Sequence, residues 1–226
     1  MDREPALRQQ VVAAAMAMVA AGLSRGSSGN VSARLTGDMF LVTPSGVPYA
    51  NMTAEMIVRA DLDGGYWGDL LPSTEWRLHA EIYRARPEAG GVVHAHPTHA
   101  SALACLRRDI PAFHYMVAAA GGDSVRCACY ATVASAELAA AMMAALAGRT
   151  ACLLANHGAV TLGRTADAAL NLMAEIEQLA EQYAIAASLG APVLLDDDEM
   201  ARVSQVFAGY GRQAGASAVS GVVRRG

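Results

Sequence analysis

His94 and His96 are separated by one residue in a short apolar stretch of the sequence, residues 90–97. The stretch predicts a β-strand, because two glycines open it, two valines follow and a proline ends it. Side chains alternate between the two faces of a strand, so both imidazoles would point the same way and could share one metal ion. We interpret the pair as half of a zinc site. His157, at the end of another apolar stretch and directly before a glycine, is the candidate for a third ligand.

The other histidines are weaker candidates for metal binding. His79 lies four residues after Glu75, so the two would share one face of a helix. His79 could be a fourth ligand, but a packed and hydrogen-bonded histidine is the interpretation we prefer. His99 follows a proline and is expected on a helix that points elsewhere. Taken alone, His157 is also more often structural than metal-binding, so a structural role stays open at this point.

The chain contains no lysine, since all 17 basic residues are arginine. Arginine cannot form a Schiff base, so carbonyl chemistry through a lysine imine is excluded. A protein of this composition that stabilises a carbanion beside a carbonyl group must use a metal ion or an organic cofactor.

The composition predicts a globular protein that binds neither nucleic acid nor membranes. Hydrophobic residues make up 54% of the 226 positions and charged residues 17%, which fits a large core or surface buried between subunits. The net charge of −4 and the pI near 5.8 argue against a nucleic-acid partner. The apolar run 11–23 is too short to span a bilayer and follows the acidic Asp2 and Glu4. We therefore interpret it as a buried first helix and predict a cytoplasmic protein.

Helices and strands are interleaved along the chain, with no long linker and no internal repeat. This indicates one α/β domain over residues 1–212, followed by a flexible C-terminal tail, 213–226. Tight turns join several strands, so the central sheet is predicted to be mixed and mostly antiparallel, with helices on both faces. The predicted helices are 4–23, 53–60, 75–86, 98–107, 134–146, 165–189 and 196–207. The predicted strands are 31–35, 39–43, 91–96, 124–130 and 151–158, with a further strand and turn within 59–71.

Five short motifs follow one another in the order seen in the class II aldolase/adducin family, which the chain resembles over roughly residues 5–212. They are residues 28–32, 43–46, 73–76, 94–96 and 156–158. The stretch 110–122, with Tyr130-Ala131-Thr132 after it, is most similar to the family members that cleave L-fuculose 1-phosphate.

The resemblance implies a metal centre and a pocket for the phosphate of a small phosphorylated sugar. The metal, one Zn²⁺ per subunit or another divalent transition metal such as Co²⁺ or Mn²⁺, would be bound by His94, His96 and His157. Glu75 matches the catalytic carboxylate, which also approaches the metal in the resting enzyme. The residues that match the phosphate pocket are Gly29, Asn30, Ser45, Gly46, Ser73 and Thr74.

The resemblance also implies self-association, with active sites at the subunit interfaces of a homotetramer. Tyr115 matches a catalytic tyrosine that acts across a subunit boundary and handles the proton on the C4 oxygen of the substrate. Tyr210 matches, more loosely, a second tyrosine that closes over the site.

The expected activity is that of a zinc-dependent aldehyde-lyase, which cleaves a ketose 1-phosphate reversibly to dihydroxyacetone phosphate and a small aldehyde. L-Fuculose 1-phosphate is the first choice of substrate. The alternatives are 5-deoxypentulose 1-phosphates such as 5-methylthioribulose 1-phosphate or 5-deoxyribulose 1-phosphate. Two other activities of the family are less favoured. One is a sugar-phosphate epimerase, which would be expected to carry aspartate at the position of Glu75, and the other is a methylthioribulose-1-phosphate dehydratase. A metal-free scaffold would be expected to lack the three histidines.

Overall fold

The strands of the chain form one eight-stranded sheet in the computed structural model, which describes residues 3–209. The strands are β1 (Asn30–Arg34), β2 (Met39–Val42), β3 (Val58–Asp61), β4 (Tyr66–Trp67), β5 (Gly91–Ala95), β6 (Arg126–Ala128), β7 (Ala151–Leu154) and β8 (Gly158–Gly163). They are ordered β4-β3-β2-β1-β5-β8-β7-β6. Every pair is antiparallel except β6 with β7. The prediction of a mixed, mostly antiparallel sheet is confirmed.

Within residues 3–209, six α-helices connect or flank the strands. They are α1 (Glu4–Ala20), α2 (Trp76–Ala85), α3 (Thr98–Cys105), α4 (Ala136–Ala145), α5 (Ala166–Leu189) and α6 (Asp197–Gly209). The long helix α5 begins where the Thr165 side chain accepts a hydrogen bond from the Ala168 N–H, and it ends before Gly190. Both bounds agree with the sequence. No helix within 3–209 combines the length and the hydropathy that a membrane span requires.

Helices cover both faces of the sheet, as predicted. Buried side chains of α1, α3 and α5 form one core, and those of α2 and α4 form another on the opposite face. Successive side chains of β5 point to opposite faces of the sheet. Val93 and Ala95 are buried in the first core, and Val92 is buried in the second. His94 therefore points to the face covered by α2 and α4.

Two predicted elements are wrong. Residues 53–60 do not form a helix, because a 3₁₀ turn (Ala54–Met56) is followed at once by strand β3. The stretch 151–158 is not one strand: β7 ends at Leu154, and a turn with Asn156 in the left-handed region leads into β8, which the sequence analysis did not identify. A third difference concerns the start of α2: the predicted helix begins at Glu75, whereas Glu75 is the N-cap and the helix begins at Trp76.

Candidate metal centre and active site

Three histidines meet at one end of the two central strands. His94 is the fourth residue of β5, His96 follows that strand, and His157 lies in the turn between β7 and β8. Because β5 and β8 are antiparallel neighbours, the end of β5 and the start of β8 lie side by side. One ligand nitrogen from each imidazole lies within 4.8 Å of the others, so the group could hold a metal ion.

His94 is held in the tautomer that a metal ligand requires. Its ring is fully buried, and Nδ1 lies 3.0 Å from the carbonyl oxygen of Ala159, to which it donates a hydrogen bond. The lone pair of Nε2 is then directed at the cluster, where His96 Nε2 lies at 3.0 Å and Glu75 Oε2 at 3.1 Å. Such a convergence of lone pairs and negative charge is what a bound cation would stabilise.

Glu75 lies directly against the histidines. Its Oε2 accepts a hydrogen bond from Asn30 Nδ2 at 3.1 Å. Its Oε1 lies 3.3 Å from His157 Nε2, in a geometry that does not form a hydrogen bond, and has no hydrogen-bonding partner among the described residues although it is buried. An unpaired buried carboxylate oxygen beside three imidazoles fits a divalent metal, because nitrogen and carboxylate ligands are those that zinc prefers.

The surroundings of the cluster lower the pKa of its acid and of two of its histidines. Burial raises the pKa of Glu75, but His94, His157 and the Asn30 hydrogen bond outweigh burial and lower the pKa to about 2. Burial and the neighbouring imidazoles lower the pKa of His96 to about 4. The same two causes lower the pKa of His157. The imidazoles of His96 and His157 are therefore neutral at neutral pH, which is the form that binds a metal.

Behind Glu75, a row of buried polar side chains runs from the site into the sheet. His79 Nε2 lies 2.5 Å from Asn30 Oδ1, and His79 Nδ1 lies 2.6 Å from Ser32 Oγ. Ser32 Oγ in turn lies 2.7 Å from Tyr83 Oη. His79 is therefore a packed, hydrogen-bonded histidine, as we preferred, and is not in the metal-binding group.

The part of Ser32 and Tyr83 in this row was not predicted, although the sequence contains a signal for both residues. Glu75, His79 and Tyr83 are spaced by four residues, so they lie along one face of α2. Asn30 and Ser32 are two residues apart on β1 and point to the same face of the sheet. Nothing local, however, indicates that this strand face and this helix face meet.

The loops predicted to bind phosphate lie next to each other. Pro44 and Pro72 form an isolated antiparallel bridge, which brings the loop that contains Ser45 and Gly46 beside the loop that contains Ser73 and Thr74. Ser45, Gly46 and Thr74 are exposed, whereas Ser73 is buried and its Oγ accepts a hydrogen bond from the Glu75 N–H at 3.3 Å.

Gly29 and Asn30 lie at the start of β1, directly beside the histidines. Gly29 has a φ of +77°, and an added Cβ would lie 2.6 Å from the carbonyl oxygen of His94, so only glycine fits there. The amide of Asn30 is engaged with Glu75 and His79. A role of either residue in phosphate binding stays a prediction.

The two predicted tyrosines are not part of this cluster. Tyr115 begins a 3₁₀ turn (Tyr115–Ala120), its side chain is 51% exposed, and its ring lies against His114 and Phe207. Its expected role across a subunit boundary stays a prediction. Tyr210 and the tail 213–226 lie outside the described residues.

Comparison with known proteins decides the family. The model of the class II aldolase and adducin N-terminal domain matches residues 9–184. The chain belongs to this family. Its membership confirms the resemblance seen in the motifs and the fold class.

Similar class II aldolases include both kinds named in the sequence analysis. A 5-methylthioribulose-1-phosphate/5-deoxyribulose-1-phosphate aldolase from Rhodospirillum rubrum is 47% identical, over 92% of this chain and 94% of the relative. An L-fuculose phosphate aldolase from Escherichia coli K12 is 42% identical, over 91% and 95%. A solved structure of an L-fuculose 1-phosphate aldolase superposes with a TM-score of 0.85 at 36% identity, covering 89% of this chain and 96% of that one. The prediction of a lyase of the class II aldolase type is confirmed.

Proposed function

We propose that this class II aldolase cleaves a ketose 1-phosphate between C3 and C4, reversibly, to dihydroxyacetone phosphate and a small aldehyde. The observation that carries the proposal is the position of Glu75. Its carboxylate lies between His94 and His157, with one oxygen held by Asn30 and the other unpaired. An acid so placed beside a metal-binding group can move a proton at the carbon where the bond breaks.

The metal that we propose is one Zn²⁺ per subunit, with Co²⁺ or Mn²⁺ as possible substitutes. His94, His96, His157 and, before substrate binds, Glu75 would hold it. When bound, such an ion polarises the carbonyl oxygen of the substrate, which makes the neighbouring C–C bond easier to break. The chain has no lysine that could do this through an imine.

Glu75 is suited to change from ligand to acid/base. Burial is the largest influence on its pKa and raises it, while contacts with His94, His157 and Asn30 lower it. A substrate that displaces the carboxylate from the histidines would remove the contacts with His94 and His157 and leave the burial, so the pKa would rise. The displaced carboxylate could then take up a proton and deliver it to C3 during cleavage, or remove it during synthesis.

The phosphate would bind where the two serine-containing loops meet. Their hydroxyls and backbone N–H groups would supply hydrogen-bond donors that suit an anion, and none of the residues proposed below is basic. The residues proposed for this role are Gly29, Asn30, Ser45, Gly46, Ser73 and Thr74.

The complete site would need a second copy of the chain. Tyr115 is exposed, and its ring lies against His114 and Phe207 rather than against His94, His96 or His157. We propose a homotetramer in which Tyr115 of one subunit reaches the site of the next and exchanges a proton with the C4 oxygen. Tyr210, proposed as a lid, would close over the same site. We also propose a cytoplasmic location, which fits four free cysteines and a phosphorylated substrate.

Comparison with the relatives favours 5-deoxypentulose 1-phosphates as the substrates. Sequence analysis preferred L-fuculose 1-phosphate, but the relative that acts on 5-methylthioribulose 1-phosphate and 5-deoxyribulose 1-phosphate is 47% identical, against 42% for the fuculose enzyme of Escherichia coli K12. We therefore propose these two sugars as the better substrates and L-fuculose 1-phosphate as the second candidate.

A coupled assay of dihydroxyacetone phosphate tests the proposal. The panel would comprise 5-methylthioribulose 1-phosphate, 5-deoxyribulose 1-phosphate and L-fuculose 1-phosphate, with product analysis to detect dehydration, and ribulose 5-phosphate to detect epimerisation. We expect release of dihydroxyacetone phosphate, with a higher kcat/KM for the two 5-deoxypentulose phosphates. Epimerised or dehydrated products without C–C cleavage would overturn the aldolase proposal.

Metal analysis of the purified protein tests the cofactor. We expect about one Zn²⁺ per chain, and His96→Ala should lose both the metal and the activity, because two imidazoles bind zinc far more weakly than three. His99→Ala is the matched control, since His99 pairs with Glu177 outside the metal-binding group. An active enzyme that carries no metal would contradict the proposal.

A further inference from the structure

We infer that His79 is a positioning residue that determines which oxygen of Glu75 is held by the protein and which is free to exchange a proton. The inference rests on the proposed function, in which Glu75 is the acid/base. It follows from the direction of four consecutive hydrogen bonds that run from Tyr83 to Glu75.

The four bonds join five buried side chains into one unbranched row. The distances are 2.7 Å from Tyr83 to Ser32, 2.6 Å from Ser32 to His79, 2.5 Å from His79 to Asn30 and 3.1 Å from Asn30 to Glu75. Ser32 and His79 have no exposed surface, and the other three are at most 6% exposed. Water therefore cannot replace a lost partner easily, and each bond depends on the next.

The charged end of the row fixes the direction of every bond. The Glu75 carboxylate can only accept, so Asn30 must donate with its Nδ2 and present Oδ1 to His79. His79 must then donate from Nε2, which leaves Nδ1 as an acceptor for the Ser32 hydroxyl. Ser32, having used its proton, accepts from Tyr83. Every bond of the row then joins a donor to an acceptor, and only Oε1 of Glu75, at the end of the row, is left without a partner among the described residues. Reversing the amide of Asn30 would place its oxygen against the carboxylate.

The consequence concerns the two oxygens of Glu75. Oε2 is fixed by Asn30, whose amide cannot rotate while His79 holds its other end. Oε1 is left without a hydrogen bond and lies beside His157. Oε1 is therefore the oxygen that takes up and delivers the proton. The row is not itself a proton path, because a carboxamide such as that of Asn30 does not relay protons at ordinary cost.

Two substitutions of His79 separate positioning from packing. In His79→Gln the amide nitrogen takes the place of Nε2 and can still donate to Asn30. In His79→Asn the shorter side chain can reach Ser32 but not Asn30. We expect the asparagine variant to lose kcat by about 10- to 100-fold, with KM and metal content close to wild type, since the loss of a residue that orients a site group has effects of this size. The glutamine variant should recover most of the loss.

Urea unfolding of both variants provides the control for stability. Equal loss of kcat in the two variants, or a loss that follows their stability, would overturn the positioning role. If wild type is active and both variants match it, the inference is likewise wrong while the proposed function stands. If wild type releases no dihydroxyacetone phosphate from any sugar, the proposed function fails instead.

A measurement that needs no activity tests the row directly. Nitrogen-15 NMR of labelled histidine distinguishes the two neutral tautomers of a buried imidazole. We expect His79 to carry its proton on Nε2, with Nδ1 unprotonated, and the His79→Gln spectrum identifies its signals. A proton on Nδ1 would reverse the row and overturn the inference.

Discussion

Glu75 combines a buried position with a pKa well below the usual range of a carboxyl group. The two properties oppose each other, since burial alone would favour the neutral acid. Contacts with three neighbours decide the balance and bring the pKa to about 2. A residue whose charge depends on a few contacts can change its protonation when those contacts change, which is what acid/base catalysis requires.

Glu75→Gln tests this residue. Glutamine keeps the size and the hydrogen bond from Asn30 but cannot take up a proton, so we expect turnover to fall by about 10²- to 10⁴-fold. The three histidines remain, so the metal should be retained. Metal analysis and the dihydroxyacetone phosphate assay on the same preparation check both points. Full activity in this variant would remove Glu75 from the mechanism.

His79 makes the fold sensitive to acid. Burial lowers its pKa from 6.5 to about 3, with a smaller lowering effect of the neighbouring His94 and an opposing effect of Glu75. The unfolded chain thus binds a proton below a pH of about 6.5 while the folded chain does not, and stability falls as the pH decreases through this window, by at most about 1.4 kcal/mol per pH unit.

His79→Gln should flatten that dependence. The variant cannot bind a proton at this position in either state, so its free energy of unfolding should fall less between a pH of about 6.5 and about 4.5. Urea unfolding of both proteins across this range measures the two slopes. Identical slopes would mean that His79 is protonated in the folded protein.

At the scale of elements, the site depends on how closely β5 and β8 approach. Gly158 is the first residue of β8 and lies against Ala95 and His96. A Cβ added to it would lie 2.4 Å from the Ala95 carbonyl oxygen and 2.7 Å from His96 Cδ2. The two strands can therefore pair beside the metal-binding histidines only because this residue has no side chain.

Gly158→Ala should push His96 away from its partners. We expect a loss of about 1–3 kcal/mol of stability, typical of overpacking, together with weaker metal binding. Gly190→Ala is the matched control, because nothing lies within 4 Å of the added carbon and the backbone there is extended, with φ 164°. Unfolding curves and metal titrations compare the two. Equal behaviour of the two variants would contradict the tight contact.

The sequence predicts elements where the signal is local. The cap Thr165, the stop Gly190 and the spacing of His94 and His96 each act within a few residues and lead to correct elements. Strand β8 was missed because five of its six residues are buried, so it carries no alternation of polar and apolar side chains. The wrong helix at 53–60 has a different origin. Strand β3 does alternate, but over only four residues directly after a 3₁₀ turn, which is too short a stretch to distinguish strand from helix.

The residues of the site, too, could be predicted from the sequence only where the signal is local. The side-by-side position of His94 and His96 follows from strand geometry alone. The approach of His157 and Glu75 depends on strand and helix packing between distant parts of the chain. His157 was a candidate ligand from its place before a glycine at the end of an apolar stretch, whereas the role of Glu75 came from family resemblance. The contact of Ser32 with His79, 47 residues apart, had neither kind of support and was missed.

At the scale of the whole molecule, the proposal of shared sites can be tested with two defective variants. Glu75→Gln keeps Tyr115, and Tyr115→Phe keeps Glu75. If each site takes these residues from neighbouring subunits, mixed tetramers contain some sites with both intact. Random assembly of equal amounts would restore about a quarter of the wild-type sites. Activity of the mixture above the mean of the separate variants, after subunit exchange, is the expected result.

Size measurement of the same samples by light scattering provides the control, because exchange must leave the tetramer intact. Activity equal to the mean of the two variants would mean that each site uses its own Tyr115, or that Tyr115 acts elsewhere.

The pairing of β5 with β8 also sets the order in which the site can form during synthesis. His94 and His96 leave the ribosome with β1 already available as a neighbour. The carbonyl of Ala159, which selects the tautomer of His94, is made 65 residues later, together with His157. A nascent chain thus presents at most two histidines, and firm metal capture must wait for the second half of the sheet. The proposed metal centre is therefore completed only with β8, the last strand of the sheet in chain order, and metal loading would report that β5 and β8 have paired.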